Sequence, residues 1–453
     1  MQPQALDADK STATKSAATI PMRRVVAASV FGTAMETYDL YLYGTAAALI
    51  FGTLFFPAEN PTAATLLSLS TFAVSFIARP LGAIVFGHFG DRIGRKRMLF
   101  ITLLLMGIST FLIGLLPSFA TIGVAAPIIL TVLRFTQGFG FGGEYSGAVL
   151  MLAEHAPAKK RGFYAGLNNV GPVIGFLSST LIFLLVLNLM TEDAFFAWGW
   201  RIPFLLSIIL VGIGLYVRFK ITESPVFVEA QQRAEASTKQ TRAPLFAVLT
   251  KYPKEVILAS GANIGQFATF YLAVTWALSY GTTGLGLERN VILSAVMIAV
   301  ATNAITIPLA SAWSDRVGRK PVLVIGSIAM IVWAFPFFAL FNTAQYGLIV
   351  IAFIGLMIAY SLVYGPIAAF TSELFGTSVR YTGSALSYNI GGILGAAFAP
   401  LIATMLYANF NSSAPIAIYL AAAAAVSLVC ILLARETKDE SLTLDRAFGD
   451  NEG

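Results

Sequence analysis

Apolar residues run along this chain in long stretches, broken at intervals by short clusters of charge, proline or glycine. A helix rises about 1.5 Å per residue, so about 20 apolar residues cross about 30 Å of hydrocarbon. Twelve runs of that kind occur, near 25–49, 63–87, 98–116, 121–149, 163–187, 198–219, 255–280, 290–313, 321–341, 346–370, 381–406 and 415–434. None carries the alternating pattern of a barrel strand, and a backbone in lipid must satisfy its own hydrogen bonds. The pattern therefore predicts an all-α polytopic membrane protein of twelve transmembrane helices.

Composition agrees. Charged residues make up 11% of the chain and hydrophobic ones 57%, where a soluble domain carries roughly a quarter charged residues. The formal net charge of +6 does not point to nucleic acid, because the basic residues lie in short loops between the apolar runs. Counted on alternate sides of the predicted layout, 24 Lys and Arg fall on one side and Arg289 alone on the other, with Arg79, Arg134, Arg201 and Arg218 within or at the ends of spans. By the positive-inside rule both termini are cytoplasmic. Residues 1–22 hold no apolar stretch of signal-peptide length and read as a disordered cytoplasmic tail, and 436–453 as a second tail. The polar stretch 220–252 reads as a cytoplasmic central loop between an N-terminal six-helix bundle, 23–219, and a C-terminal one, 253–435.

The halves repeat. GHFGDRIGRK at 87–96 recurs as SAWSDRVGRK at 311–320, each copy following the second span of its half. Glu154 precedes Arg161 as Glu373 precedes Arg380, each pair between the fourth and fifth spans. Parallel repeats of this kind build one class of transporter around a midplane site.

The D-R-x-G-R-K pattern, present twice, resembles the signature loop of the major facilitator superfamily. TFAVSFIARPLG around Arg79, LRFTQGFGFGGEYSGA at 133–148, FAWGWRIPF at 196–204, ITESPVF at 221–227 and ELFGTSVRYTG at 373–383 narrow it to its metabolite:proton symporter family. The resemblance covers nearly the whole chain after residue 23. It implies a fold of two pseudo-symmetric bundles, a bacterial cytoplasmic (inner) membrane location and alternating access. It further implies proton-coupled uptake of a small organic acid such as shikimate, a dicarboxylate or 2-oxoglutarate. A zwitterion such as proline or betaine, or proton-coupled export, are the alternatives. Conformational gating would fall to Asp91, Arg95, Glu144, Glu154, Asp315, Arg319, Glu373 and Arg380. Many members carry an Arg and a Glu where this chain has Asn263 and Gln266.

Charges in hydrocarbon cost at least about 2.5–3.5 kcal/mol each, so each is a functional candidate. Glu36, Asp39, Arg79, Arg134 and Glu144 lie in the first half, and the spans of the second half hold none away from their ends. Glu36 and Asp39 share a helical face, and two close acids cannot both stay ionised in a poorly hydrated site. They are the proton-coupling candidates, or else structural partners of the arginines. Arg134, with Gln137 a turn on in an R-x-x-Q-G string, is permanently charged and needs an anion. Arg79, before Pro80, is a second anion clamp or a snorkelling side chain. Tyr38, Tyr41 and Tyr43 follow on span 1, where Tyr38 is counted with the substrate candidates. Asn168, Asn169, Asn263, Gln266, Tyr364, Tyr388 and Asn389 complete that set; those in the second half, with Tyr271, Asn303 and Tyr360, read individually as interhelical hydrogen bonds before substrate contacts.

The string Gly138, Gly140, Gly142, Gly143 follows no strand, so close helix packing is its reading rather than a phosphate cradle. No G-x-x-x-x-G-K-[ST] occurs, His88 and His155 lie in loops, and Cys430 stands alone. The expectation is a transporter and not an enzyme, with no metal and no cofactor, the proton gradient supplying the energy. Its partners are then a small-molecule substrate, protons and the bilayer, with no nucleic acid, and it works as a monomer.

Overall fold

The computed structural model describes residues 22–58, 60–93, 95–142, 144–220, 244–376 and 379–438. Among the described residues all regular structure is helical. Twelve rods follow one another. In the first half they are α1 (Met22–Ala46, continued through a π turn at Ala47–Phe51 to Phe55), α2 (Pro61–Ile93), α3 (Arg95–Leu115), α4 (Ala125–Phe141 and Glu144–His155), α5 (Arg161–Leu189) and α6 (Glu192–Leu215). In the second half they are α7 (Pro253–Gly284), α8 (Arg289–Val317), α9 (Arg319–Phe341), α10 (Tyr346–Glu373), α11 (Arg380–Phe410) and α12 (Ala414–Leu433). Nine of the described rods are both long and apolar enough to cross a membrane, and Phe100–Leu115 and Ala125–Phe141 are shorter apolar helices.

The ends of the rods follow local chemistry. Pro61 opens α2, where a missing N–H costs nothing, and Asn60 Oδ1 accepts from Thr62 N–H at 2.8 Å as a cap. Gly318, at φ +112°, turns the chain from α8 into α9. Asn411, at φ +46°, closes α11 in the left-handed region.

Each half pairs its helices in the same way. The first packs on the fifth, the second on the fourth, the third on the fourth and on the sixth; the matching pairs recur as α7 on α11, α8 on α10, and α9 on α10 and α12. The repeat reaches into backbone detail. The π turn of α1 at Ala47–Phe51 has its counterpart in α7 at Leu272–Trp276, one residue from the register that relates Asp91 to Asp315. Between the halves α5 lies against α8, and α2 against α11.

Glycine permits the closest approaches. A methyl at Gly138 would strike the Ser75 carbonyl, one at Gly142 the Arg79 carbonyl, and one at Gly82 the Phe139 carbonyl, so α2 and α4 touch backbone to backbone. Gly171 and Gly175 set α5 against Val30, Thr33 and Thr37 of α1 in the same way.

Candidate functional site

Arg79 is carried midway down α2 one residue before Pro80, whose missing N–H leaves the carbonyl a turn back without its helical donor. Its side chain is 2% exposed. It does not snorkel. The guanidinium lies over the rings of Phe76 (3.8 Å) and Phe141 (4.1 Å), and the Tyr271 hydroxyl is within hydrogen-bond reach of both Arg79 and Tyr41. Nε and Nη2 of Arg79 are buried without a hydrogen-bond partner. A charged donor left so is costly.

Arg79 also lines a small cavity of about 20 Å³ between the halves, the space of about one water. Thr37, Leu40, Tyr41, Arg79, Phe141 and Pro172 line it from the first half, and Phe267, Phe270, Tyr271, Tyr360, Tyr364 and Tyr388 from the second. Aromatic contacts knit this wall: Tyr41 meets Phe270 at 5.5 Å, Phe270 meets Tyr360 at 5.1 Å, Tyr360 meets Tyr364 at 4.9 Å and Phe267 meets Tyr388 at 4.9 Å between centroids.

One layer behind the wall lies a polar relay. Arg134, fully buried in α4, stacks its guanidinium on Tyr43 at 3.7 Å and donates through Nη1 to Gln137 Oε1. Gln137 Nε2 donates to Thr110 Oγ1 at 2.6 Å, and Thr110 is within hydrogen-bond reach of Asp39. Asp39 and Arg134 act on each other through their charges, as do Arg134 and Arg79. Phe72 bridges the layers, meeting Arg134 at 5.6 Å and Tyr271 at 5.5 Å. Glu36 is buried on α1 at 3% exposure.

The remaining substrate candidates lie off the cavity. Tyr38 donates to the Pro203 carbonyl at 3.0 Å, Asn168 accepts from Ser29 and Thr33, and Asn263 accepts from Gln266 at 3.1 Å inside the second half. Asn169 donates to the Tyr364 carbonyl at 2.5 Å and Asn389 to the Gly142 carbonyl at 3.1 Å, so both tie one half to the other. The composition of the wall went unread in the sequence at Thr37, Leu40, Phe141, Pro172, Phe267 and Phe270. The signal was there in part: Phe267, Phe270 and Tyr271 are spaced to share one face of α7, as Tyr360 and Tyr364 share one of α10.

Contacts join the two halves at both faces. At the face carrying Lys159, Lys160, Arg316 and Lys438, here called the basic face, both Asp315 oxygens accept from the first N–H groups of α5, Gly162 and Phe163, at 2.8 Å each. A carboxylate at a helix N-terminus is well placed for its dipole. Arg319 pairs with Asp315 at 2.6 Å and with Glu373 at 3.3 Å, and Arg161 reaches Glu373 at 3.9 Å. Arg380 donates to the Phe375 carbonyl at 3.2 Å. The segment after α12 joins this cluster, with Thr437 donating to Glu373 at 2.7 Å and Glu436 accepting from the N–H groups of Arg319 and Lys320 at 2.9 and 3.0 Å. The side chains of Asp91, Arg95, Glu144 and Glu154 lie outside the described residues. At the opposite face Arg289 pairs with Glu192 at 2.8 Å, and Asn188 and Asn290 exchange hydrogen bonds across the halves at 2.9 and 3.4 Å. Contacts thus join the two halves at both faces, with the cavity between them.

Residues 25–448 match the family described as Sugar (and other) transporter. The chain belongs to this family. It is accordingly a multi-pass membrane transporter of the major facilitator superfamily and not an enzyme. Among relatives of the Sugar (and other) transporter family, it is 44% identical over 426 residues to the inner membrane metabolite transport protein YhjE of Escherichia coli (strain K12), covering 92% of this chain and 95% of that one. To the shikimate transporter of the same organism it is 39% identical over 418 residues, covering 92% and 95%. To its proline/betaine transporter it is 34% identical over 429 residues, covering 93% and 85%. A structure of the proton:xylose symporter XylE bound to 6-bromo-6-deoxy-D-glucose superposes with a TM-score of 0.75 at 20% identity, covering 93% of this chain and 97% of that one, and shares the fold.

Proposed function

We propose that this transporter is a proton-coupled symporter that takes up a small organic acid by alternating access, with the cargo carboxylate on Arg79 and the proton on Asp39. The observation that carries the reading is the buried Arg79 guanidinium, with Nε and Nη2 unpartnered, on a residue that lines a cavity walled by both halves. A carboxylate supplies the two acceptors that such a fork lacks.

Coupling follows from charge. While Asp39 is ionised it offsets Arg134; once protonated it leaves the Arg134 charge unbalanced one layer from Arg79. The cavity then becomes more positive, and an anion binds it more tightly. By linkage the bound anion holds the proton more tightly in turn, and couplings of this kind run at about 1–3 kcal/mol, roughly 5–150-fold in affinity. Proton and cargo therefore load together. Glu36, on the same face of α1, is the second proton-coupling candidate.

By the positive-inside rule the basic face and both termini are read as cytoplasmic, in a bacterial inner membrane, with a single chain as the working unit. A zwitterion such as proline or betaine is the second reading. The relationship to the proline/betaine transporter favours it, and an aromatic wall suits a quaternary ammonium. Uptake of labelled shikimate, 2-oxoglutarate, succinate and proline into proteoliposomes, with and without an inward proton gradient, tests both. Gradient-driven accumulation of an acid is expected; accumulation indifferent to the gradient excludes symport.

A further inference from the structure

Tyr271 comes from α7 in the second half, yet its ring lies among rings of the first. Centroid distances are 5.5 Å to Phe72 and 5.4 Å to Phe76, both on α2, and 6.3 Å to Tyr41 on α1. This seats the Tyr271 hydroxyl within hydrogen-bond reach of both Arg79 and Tyr41. A phenol oxygen accepts as well as donates, so it can meet a guanidinium. It brings one oxygen only, and Nε and Nη2 of Arg79 remain without partners.

This contact crosses between the halves through the charge on which the proposed clamp depends. Two other ties across the seam, Asn169 to Tyr364 and Asn389 to Gly142, end on backbone carbonyls and involve no charge. Asn303 of α8 stands where Arg79 stands, in the register that relates Asp91 to Asp315, and it is met inside its own half, its Oδ1 accepting from Ser361 at 2.9 Å. Asp39 acts on Arg134 in the layer behind and does not line the cavity. With space for about one water in the cavity, the Tyr271 hydroxyl and a cargo carboxylate are alternatives at the guanidinium.

A carrier that works by alternating access brings its halves past each other twice in a cycle of net transport, once loaded and once unloaded. In the unloaded pass a desolvated guanidinium with no acceptor opposes the movement. We propose that Tyr271 stands in for the cargo carboxylate on Arg79 during that pass and so lets the unloaded carrier reorient, a role that rests on the reading of Arg79 as the carboxylate clamp. A carboxylate offers two charged acceptors to the fork and is the stronger partner. Cargo therefore displaces the hydroxyl on loading, and the hydroxyl returns on release. The π turn at Leu272–Trp276 begins directly after Tyr271, and helices bend at such turns, which gives the side chain a way off Arg79.

Tyr271→Phe removes the hydroxyl and keeps a ring against Phe72 and Phe76. The full-length transporter in proteoliposomes, with labelled shikimate as the probe, gives two rates to compare. Net efflux down a concentration gradient passes through the unloaded step; exchange with saturating shikimate on both sides does not. A hydrogen bond to a charged group corresponds to roughly tenfold to hundredfold in an equilibrium. We expect Tyr271→Phe to slow net efflux by about tenfold or more and exchange by less than about threefold.

A second measurement needs no cargo. In a Cys430→Ser background carrying Asn188→Cys and Asn290→Cys, the initial rate of thiol crosslinking reports how often the two halves meet at that face in the unloaded protein. Adding Tyr271→Phe should slow it by about tenfold. An unchanged net efflux or an unchanged crosslinking rate overturns the proposal. Equal loss of efflux and exchange overturns it too, by making Tyr271 a contact of the loaded carrier. Failure of the underlying readings shows elsewhere: the clamp falls on an unchanged KM in Arg79→Lys, and symport on accumulation by the unaltered protein that ignores the proton gradient.

Discussion

In the proposed mechanism Arg79 and Asp39 divide the work between a cavity and the layer behind it, and substitutions separate the two roles. Arg79→Lys keeps the charge but replaces a planar fork stacked between Phe76 and Phe141 with a point charge. It should raise the apparent KM for an acidic cargo by about tenfold or more, the cost of losing a bidentate, stacked contact, and an unchanged KM in proteoliposome uptake removes Arg79 from the site. Asp39→Asn fixes the relay in its neutral form. Gradient-driven accumulation should vanish while counterflow exchange of the same cargo persists, since the cavity itself is untouched; loss of binding as well would make Asp39 a structural partner of Arg134. At this scale the sequence marks charges clearly, because each buried ionisable group breaks an apolar run. It leaves open which charge faces the cavity, since Arg79 and Arg134 stand in similar text and only tertiary packing puts Tyr43 and Phe72 over one of them. The aromatic wall was harder still to read, for Phe and Tyr in a membrane helix look the same whether they meet lipid, a neighbour or a cargo.

Among the helices, the α2–α4 contact depends on residues with no side chain at all. Gly138→Ala drives a methyl into the Ser75 backbone, and backbone cannot swing aside as a side chain can. Overpacking of this sort costs about 1–3 kcal/mol, so a clear loss of thermal stability in detergent is expected. Gly212→Ala, where a methyl meets nothing within 4 Å, is the control and should melt as the unaltered protein does. A second helix-level device is the segment after α12. Burial alone would raise the Glu436 carboxyl, but the N–H groups of Arg319, Lys438, Lys320 and Thr437 prevail and hold it below the usual carboxylate range. A depressed value means the contact stabilises the folded protein above the unfolded value and fades as pH falls through the folded one. The latch therefore persists through neutral and mildly acidic pH. Glu436→Gln should flatten the acid limb of the stability-against-pH curve, and an identical limb in the variant would show that other carboxylates set it. Helix order was plain from the sequence, since lipid demands runs of fixed length and charge marks their ends. The π turns were not: Ala47–Phe51 and Leu272–Trp276 carry no residue type that announces them, and they are visible only as a backbone register shared by the two halves.

For the molecule as a whole, the decisive property is that contacts among the described residues join the halves at both faces, by unequal means. The basic face is held by buried groups, Asp315 on the α5 N-terminus and Arg319 between Asp315 and Glu373. The opposite face is held by an exposed ion pair and an amide exchange, Arg289 with Glu192 and Asn188 with Asn290. Exposed pairs contribute about 0–1 kcal/mol, so in the proposed transport cycle this is the face expected to open at the smaller cost. Pinning it shut should stop transport without touching the site. The chain has one cysteine, Cys430, so a Cys430→Ser background carrying Asn188→Cys and Asn290→Cys offers a single pair for a short reversible thiol crosslinker. Crosslinking should abolish uptake and counterflow together, reduction should restore both, and either single cysteine should leave transport as it was. Transport that continued through the crosslinked face would mean that α5 and α8 need not separate there, and that the closed arrangement of the two halves is not a station on the transport cycle.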